Sequence, residues 1–411
     1  MTTVLGLLVV AAGGLIMGSG AWPYKLMRKY QFEHWWLVGM VVGLIVIPWT
    51  VTLAGCPHAL QSLGNVPAWA LIMGNLFSVG WGIANVLCGL CYLRIGVALT
   101  GAILAGLGVS LGAITPMVFK GSGLFKNAND LGSPAGLTVC AAVALMLVGV
   151  GLASVAGFGR DRELKKLQQT SGRFLTGLIM TVIAGILSAF MAFAFVYSQG
   201  PVVANLSVVQ RGSTIKVTVD GDENKYKVGD DGAIEMPGLG AVGVGDASAA
   251  DAARRIAARV KAARPAQAGN GPDVLVETGS IPATFGVFAV GLLGGALVNI
   301  GYAVYLLTKN NSWGVFSQSG KEFALAVIMG VNFSVAVALM GKGMLLLGAL
   351  GASVGWGIQQ AMQMTGGQLL GFISGEWRGV LGKPRTQMYL AIGILIVAAV
   401  VMAYGNTLSK G

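Results

Sequence analysis

The sequence predicts an all-α polytopic membrane protein of ten transmembrane helices, with a small α+β extracytoplasmic domain inserted between helices 6 and 7. Three observations predict it. Only 10% of the 411 residues are charged and 55% are hydrophobic, whereas soluble domains carry about 25% charged residues. Ten apolar runs approach or exceed the length that crosses a bilayer, about 20 residues. One polar stretch, residues 200–282, interrupts those runs and holds ten of the 16 acidic residues.

The runs fall at 3–21, 35–53, 68–91, 94–117, 135–155 and 173–196, then at 283–307, 322–343, 347–373 and 386–405. The chain therefore divides into 1–199 (helices 1–6), 200–282 (the insertion) and 283–411 (helices 7–10). The first run lacks a basic leader, which reads as a retained helix rather than a cleaved signal. Glycine is abundant, 64 residues, and small residues let membrane helices approach closely. Gly101, Gly106, Gly108 and Gly112 in the fourth span suit helices that slide against each other.

Charge sets the orientation. The net charge of +11 raises the possibility of nucleic-acid binding, but its distribution fits the positive-inside bias better. Fourteen of the 27 Lys and Arg residues follow odd-numbered spans (Lys25, Arg28 and Lys29 after the first, Arg378, Lys383 and Arg385 after the ninth). Only Lys120, Lys126, Lys342 and Lys410 follow even-numbered spans, the insertion aside. Both termini and the insertion are thereby expected outside the cytoplasm.

Within the insertion, Ser213–Val219 alternates Ile215, Val217 and Val219 with Thr214, Lys216 and Thr218, the pattern of a strand with one buried face. Tyr226-Lys-Val, then Gly229-Asp-Asp-Gly232, then Ala233–Met236 reads as strand, turn, strand. Ala247–Ala263 reads as a solvated helix capped by Asp246 or Ser248. Pro265–Pro272 reads as a linker and Val274–Glu277 as a last strand.

Chemistry has few places to sit. Cys56, Cys88, Cys91 and Cys140 are too few for a disulfide framework. Cys88-Gly-Leu-Cys91 lacks a second ligand pair for a metal, since His34 and His58 lie elsewhere. No nucleophile–His–acid set and no phosphate-cradling loop is present, so an enzyme is not expected, nor any metal or cofactor. Intramembrane amides are costly without a partner and normally face other helices or a water-filled cavity. Trp81 and Asn85 lie at i, i+4 and share a face. Asn299 and Asn332 lie in the seventh and eighth spans. Trp356, Gln359, Gln360 and Gln363 form a stripe at i, i+3, i+4 and i+7. Glue between helices explains any one of them; lining a polar cavity is the better account of the stripe as a group. Aromatic faces beside amides can line a small-molecule cavity between packed helices. Trp35, Trp36, Trp49, Trp69 and Trp377 fall near span ends, as interfacial anchors do.

Two resemblances add to this. The string Gly212 to Val260, with Asp231, Gly232, Ile234, Pro237, Leu239 and Gly240 in order, resembles the N-terminal domain of the polysaccharide biosynthesis/export family. That implies an extracytoplasmic domain of that fold, mostly structural in role; the resemblance carries over fold and side, not an activity. In the membrane part, GLIMGSGAWPYK at Gly14–Lys25 and WWLVGMVVGLIVIPW at Trp35–Trp49 resemble the first two helices of the L-rhamnose–proton symporter family. So do Gly74-x6-Trp81-Gly-Ile-x-Asn85 with Arg94 and Gly96, Thr115-Pro116, Gly294-Gly-Ala-x-x-Asn299-x-Gly301, and Gly375-Glu376-Trp377 with Pro384. That family belongs to the drug/metabolite transporter superfamily, and the resemblance implies two inverted five-helix repeats. Many superfamily members are drawn with cytoplasmic termini, opposite to the charge count here. The word SVGWGI occurs at Ser78–Ile83 and again at Ser353–Ile358. The third and ninth spans run in the same direction, so the word is not the mark of an inverted repeat.

The resemblance implies a multi-pass carrier in a bacterial-type inner membrane that imports a sugar such as L-rhamnose by alternating access, with protons as the coupling ion. A relay of protons normally needs an ionisable group at depth, yet Glu33, Asp130, Asp161, Glu163, Glu322 and Glu376 all lie at span ends or in loops. Where the resemblance leads one to expect an acid ahead of Trp356, the chain has Ala352-Ser353. Glu322 is the remaining coupling candidate, with a helix cap as its bland alternative. The competing function is a membrane-anchored protein whose external domain binds a glycan or a partner of an export machine. Partners expected from the sequence are the sugar, the lipid bilayer and protons; nothing in it sets an oligomeric state.

Overall fold

A computed structural model describes residues 2–20, 22–95, 97–118, 130–164, 174–220, 222–263, 272–278, 280–347 and 351–408. Its helices are α1 (Thr2–Ser19), α2 (Phe32–Met40), α3 (Ile47–Gly55), α4 (Ala59–Gly64), α5 (Ala68–Ile95), α6 (Val97–Val118), α7 (Pro134–Glu163), α8 (Phe174–Ser188) and α9 (Phe190–Leu206). The strands β1 (Thr214–Val219), β2 (Asp222–Lys227), β3 (Ala233–Met236) and β4 (Gly240–Gly243) follow, then α10 (Ala249–Ala263) and β5 (Val274–Glu277). The chain closes with α11 (Ile281–Gly291), α12 (Leu293–Lys309), α13 (Gly320–Leu347), α14 (Trp356–Ile373) and α15 (Lys383–Leu408). Among the described residues, seven helices are long and apolar enough to cross a membrane, or eight if α11 and α12 count as one span. The chain is a polytopic membrane protein. Helix α6 contributes a shorter apolar stretch, Ile103–Val118, and α14 falls short of membrane apolarity because it carries Gln359, Gln360, Gln363 and Gln368.

Breaks in the helices have local causes. α2 continues into α3 through a wide turn, Val41–Val46, where the Ile47 N–H reaches back five residues to the Val42 carbonyl. Pro48 follows at once and supplies no N–H, the usual setting of such a bulge. The run expected at 173–196 is two helices parted at Ala189, and the run expected at 283–307 is parted at Leu292.

The fold separates into two compact units. One comprises 1–47, 74–196 and 292–411. It is built on close approach: a Cβ on Gly14 would lie 2.5 Å from the Gln359 carbonyl oxygen of α14, and one on Gly13 2.9 Å from the Ala336 carbonyl of α13. Without side chains at these points α1 lies against both helices, and dispersion between backbones replaces the missing hydrophobic effect. Small and flexible side chains fill the core, among them Val10, Ala113, Met117, Ala142, Met146, Ala361, Ala398 and Met402.

The other unit comprises 48–73 and 197–291. In it β1 lies between β2 and β5, antiparallel to both, and β3 pairs with β4. Ile215 and Val217 are buried, each 1% exposed, as the alternation requires. With Ile234, Val244, Ile256 and Val276 they form a core of their own against α10. Ser248 caps α10: its Oγ accepts the Asp251 N–H at 3.1 Å. Two details differ from expectation. Tyr226 and Lys227 end a strand that pairs with β1 rather than with Ala233–Met236, whose partner is β4. Helix α9 runs on to Leu206, past the border expected at 199/200, and carries Pro201 within it. Most of the expected linker, residues 264–271, lies outside the described residues.

Candidate functional site

All nine residues singled out from the sequence lie in the first unit. Three of them gather where α5 crosses the start of α12. The first N–H groups of a helix have no partner within it, and here α5 supplies acceptors. Asn75 Oδ1 accepts the Gly294 N–H at 2.7 Å, and Ser78 Oγ accepts the Gly295 N–H at 2.7 Å. The contact needs glycine, since a Cβ on Gly295 would lie 2.5 Å from the Ser78 carbonyl and 2.8 Å from the Trp81 ring. One turn on, Asn299 Nδ2 donates to the Gly295 carbonyl at 2.7 Å, and Asn85 Nδ2 donates to Asn299 Oδ1 at 3.3 Å. Asn299 is fully buried, and Trp81, 7% exposed, stacks on Phe333 of α13 with centroids 6.4 Å apart. Asn85 is half-buried, and its carbonyl oxygen accepts nothing among the described residues.

A second group lies on α14. Trp356 is 2% exposed and donates from Nε1 to the Gly108 carbonyl of α6 at 3.1 Å. Its ring fills the space that a side chain at Gly112 would take. Gln359 Nε2 donates to Gln363 Oε1 at 3.0 Å. Gln359 Oε1 is buried and has no hydrogen-bond donor among the described residues. Gln360 and Gln363 are half-buried, and the Gln360 amide nitrogen lies 3.8 Å from where a Cβ on Gly108 would stand. An amide oxygen without a donor inside a membrane bundle is costly. A hydroxyl from a bound molecule would satisfy it.

Asn332 does other work. Its Nδ2 donates to the Gly20 carbonyl at 3.0 Å, which ties α13 to the end of α1. No hydrogen bond among the described residues joins the α5–α12 group to the α14 group. Helix α1 runs past the amides: Gly14 and Gly18 press on the backbone of Gln359 and Gln363, while Gly20 meets Asn332.

Glu322, on the first turn of α13, is 7% exposed rather than a solvated cap. Its carboxylate accepts the backbone N–H groups of Arg28, Lys29 and Tyr30, at 3.1, 3.0 and 2.7 Å. Beside it, Glu33 accepts from Asn310 Nδ2 at 2.9 Å and from Ser312 Oγ at 3.3 Å. His34, 1% exposed, takes the Gln31 N–H on Nδ1 and reaches the Ser312 carbonyl with Nε2. The tautomer protonated on Nε2 satisfies both contacts. Tyr30 closes the knot; burial, then the Glu322 charge, push its phenol above the ordinary tyrosine value of 10.0.

Sequence reasoning gave no site role to Asn75, Ser78 and Ser334. The first two cap a helix break that no periodicity announces. Ser334 Oγ, mid-way along α13, is buried without a partner among the described residues, and a lone serine in an apolar run carries no signal beyond its type. Trp377, expected among the interfacial anchors, is 2% exposed: it stacks on Phe372 with centroids 5.1 Å apart and packs beside Ala156, Val380 and Met388. The four cysteines lie outside any disulfide among the described residues. Among the described residues no three His, Cys, Asp or Glu side chains gather to hold a metal ion.

Residues 2–210 match the family model described as L-rhamnose-proton symport protein (RhaT), a stretch that covers α1 to α9 and ends ahead of β1. The chain is 29% identical over 191 residues to the L-rhamnose-proton symporters of Yersinia pestis bv. Antiqua (strain Antiqua) and Yersinia pseudotuberculosis serotype O:1b (strain IP 31758). Those alignments take in 46% of this chain and 54% of each relative, about half the length of both. The relatives are named as transporters rather than enzymes. With half of its length matched, the chain belongs to the L-rhamnose-proton symport protein family.

Proposed function

We propose that this protein is a carrier that moves a sugar of the L-rhamnose type across a bacterial inner membrane together with a proton. Ten spans arranged as two inverted five-helix halves, as in the drug/metabolite transporter superfamily, would alternate access to one polar site near mid-membrane. α6 and α14 are the spans added to the apolar eight, α14 being polar because it lines the site. The domain between α9 and α11, akin to the export-family fold, would stand on the extracytoplasmic side as an accessory.

The observation that carries this reading is the α14 stripe. Gln359 Oε1 is buried with no donor among the described residues, Gln360 and Gln363 beside it are half-buried, and Trp356, its ring packed against Gly112, lies one turn away. An anchor helix has no use for such a row, whereas sugar hydroxyls and a sugar C–H face fit it. Asn85, with its unused carbonyl oxygen, is the second candidate contact. Asn299 and Asn332 support the helices around the site.

Uptake of labelled L-rhamnose and other deoxy sugars into vesicles holding the purified protein tests the reading. Accumulation should rise when the side from which sugar enters is made acidic. Absence of uptake for every deoxy sugar sinks the carrier reading; uptake indifferent to the pH gradient removes the proton alone.

A further inference from the structure

The loops after spans one, five and nine meet at one end of the first unit, and a single carboxylate joins them. Glu376 stands in the turn after α14, beside Gly375, whose φ of +80° only glycine adopts without strain. One of its oxygens pairs with Lys25 Nζ, in the short turn after α1. The other accepts from Arg160 Nη1 at 3.1 Å, in the last turn of α7. Lys25 also donates to Ser374 Oγ at 2.8 Å, and Arg160 is held from behind by Asp161 at 2.9 Å. The Arg160 guanidinium lies over the Trp377 ring, 5.5 Å from its centroid.

Two features set this cluster apart from the Glu322 knot. Its bonds run between side chains rather than to backbone, and the Glu376 side chain is 39% exposed, against 18% and 20% for Lys25 and Arg160. Water already reaches the carboxylate, so separating the pairs exposes little that is not hydrated. Ion pairs that water reaches are individually weak, which suits a contact made and broken in every cycle. Its placement is equally telling: both cations follow helices of the first five spans, and the carboxylate follows the ninth.

We propose that Glu376 is a latch that closes this end of the carrier by bridging the first five spans to the last five. The inference rests on the alternating-access reading above. With Lys25 and Arg160 bound, the end is shut; release of both cations lets α14 move away from α1 and α7 and opens the site on that side. Trp377 and Phe372 keep the turn in place so that the carboxylate returns to the same two partners.

A Lys25→Cys, Glu376→Cys pair, in a chain with Cys56, Cys88, Cys91 and Cys140 replaced by serine, tests the latch in reconstituted vesicles. Oxidation should form the crosslink and abolish sugar uptake, and reduction should restore it, so that the reduced protein is its own control for folding. Failure to crosslink, or uptake unchanged by the crosslink, overturns the latch. A second measurement needs no substrate: in Glu376→Gln, amide exchange over 22–28 and 371–378 should quicken several-fold. Unchanged exchange overturns the proposal even where no sugar is transported, while lack of uptake by wild-type and reduced proteins alike counts against the carrier reading alone.

Discussion

Glu322 and Glu376 are two carboxylates that each tie the segment after α1 to a distant part of the chain, and they do so in opposite ways. Glu322 is buried and bonded to three backbone N–H groups. Glu376 is partly hydrated and bonded to two side-chain cations rather than to backbone. A polar group committed to backbone fixes the fold, while one answered by side chains or by nothing is available for change. The same division runs through the amides. Asn299 and Asn332 bond backbone carbonyls; Gln359 Oε1 bonds nothing among the described residues.

That contrast can be broken by mutation. The largest effect is expected from Glu322→Ala, which strands three N–H groups and should cost about 3 kcal/mol of stability, read as a lowered thermal midpoint. Glu376→Gln should cost under about 1 kcal/mol, and high salt should erase its effect but not that of Glu322→Ala. Equal losses in the two variants would end the distinction. Next in size, Gln359→Met and Gln360→Ala should lower uptake about tenfold or more, equivalent to about 1.4 kcal/mol of binding, with the amount of inserted protein unchanged. Asn332→Ala should do the reverse, lowering stability with uptake per folded molecule retained. Wild-type uptake in both glutamine variants would remove α14 from the site.

A smaller effect is expected from Tyr30→Phe. The folded phenol titrates above its ordinary value, so its contribution is fully present below the unfolded value, about pH 10. It is lost as pH rises through the raised folded value. Wild type should therefore lose stability at alkaline pH where Tyr30→Phe stays level. Least of all, removing the insertion between Leu206, where α9 ends, and Ile281, where α11 begins, and joining the ends by a short linker should leave uptake intact. Its loss would favour the domain as the working part.

Apolar runs and the β1 alternation were legible because burial imposes a period on the residue types. The cap of α10 was legible as Asp246 or Ser248, because few side chains can serve there, and the structure gives Ser248. β2, with the sequence DENKYK, offered no alternation, and β4, GAVG, offered almost no side chains. Its strand status comes from pairing with β3, a tertiary choice. The break at Leu292 is invisible for a similar reason: what stabilises it, Asn75 and Ser78, lies more than two hundred residues away. In the site, residue types were legible and their state was not. Composition shows four glutamines on α14, and only the fold separates Gln359, buried with an oxygen that meets no donor among the described residues, from the half-buried Gln360.

Helix α1 has a genetic signature implied by its packing. Val4, Leu5 and Leu8 are more than half exposed on one side of it, where lipid or any other apolar side chain is an adequate neighbour. Further along, Gly14 and Gly18 touch the backbone of α14 directly. A saturation library over this helix would invert the usual scale of severity. Leucine to phenylalanine or valine would pass unnoticed at the first set of positions, while glycine to alanine, the smallest change a codon can make, would be among the most damaging at the second.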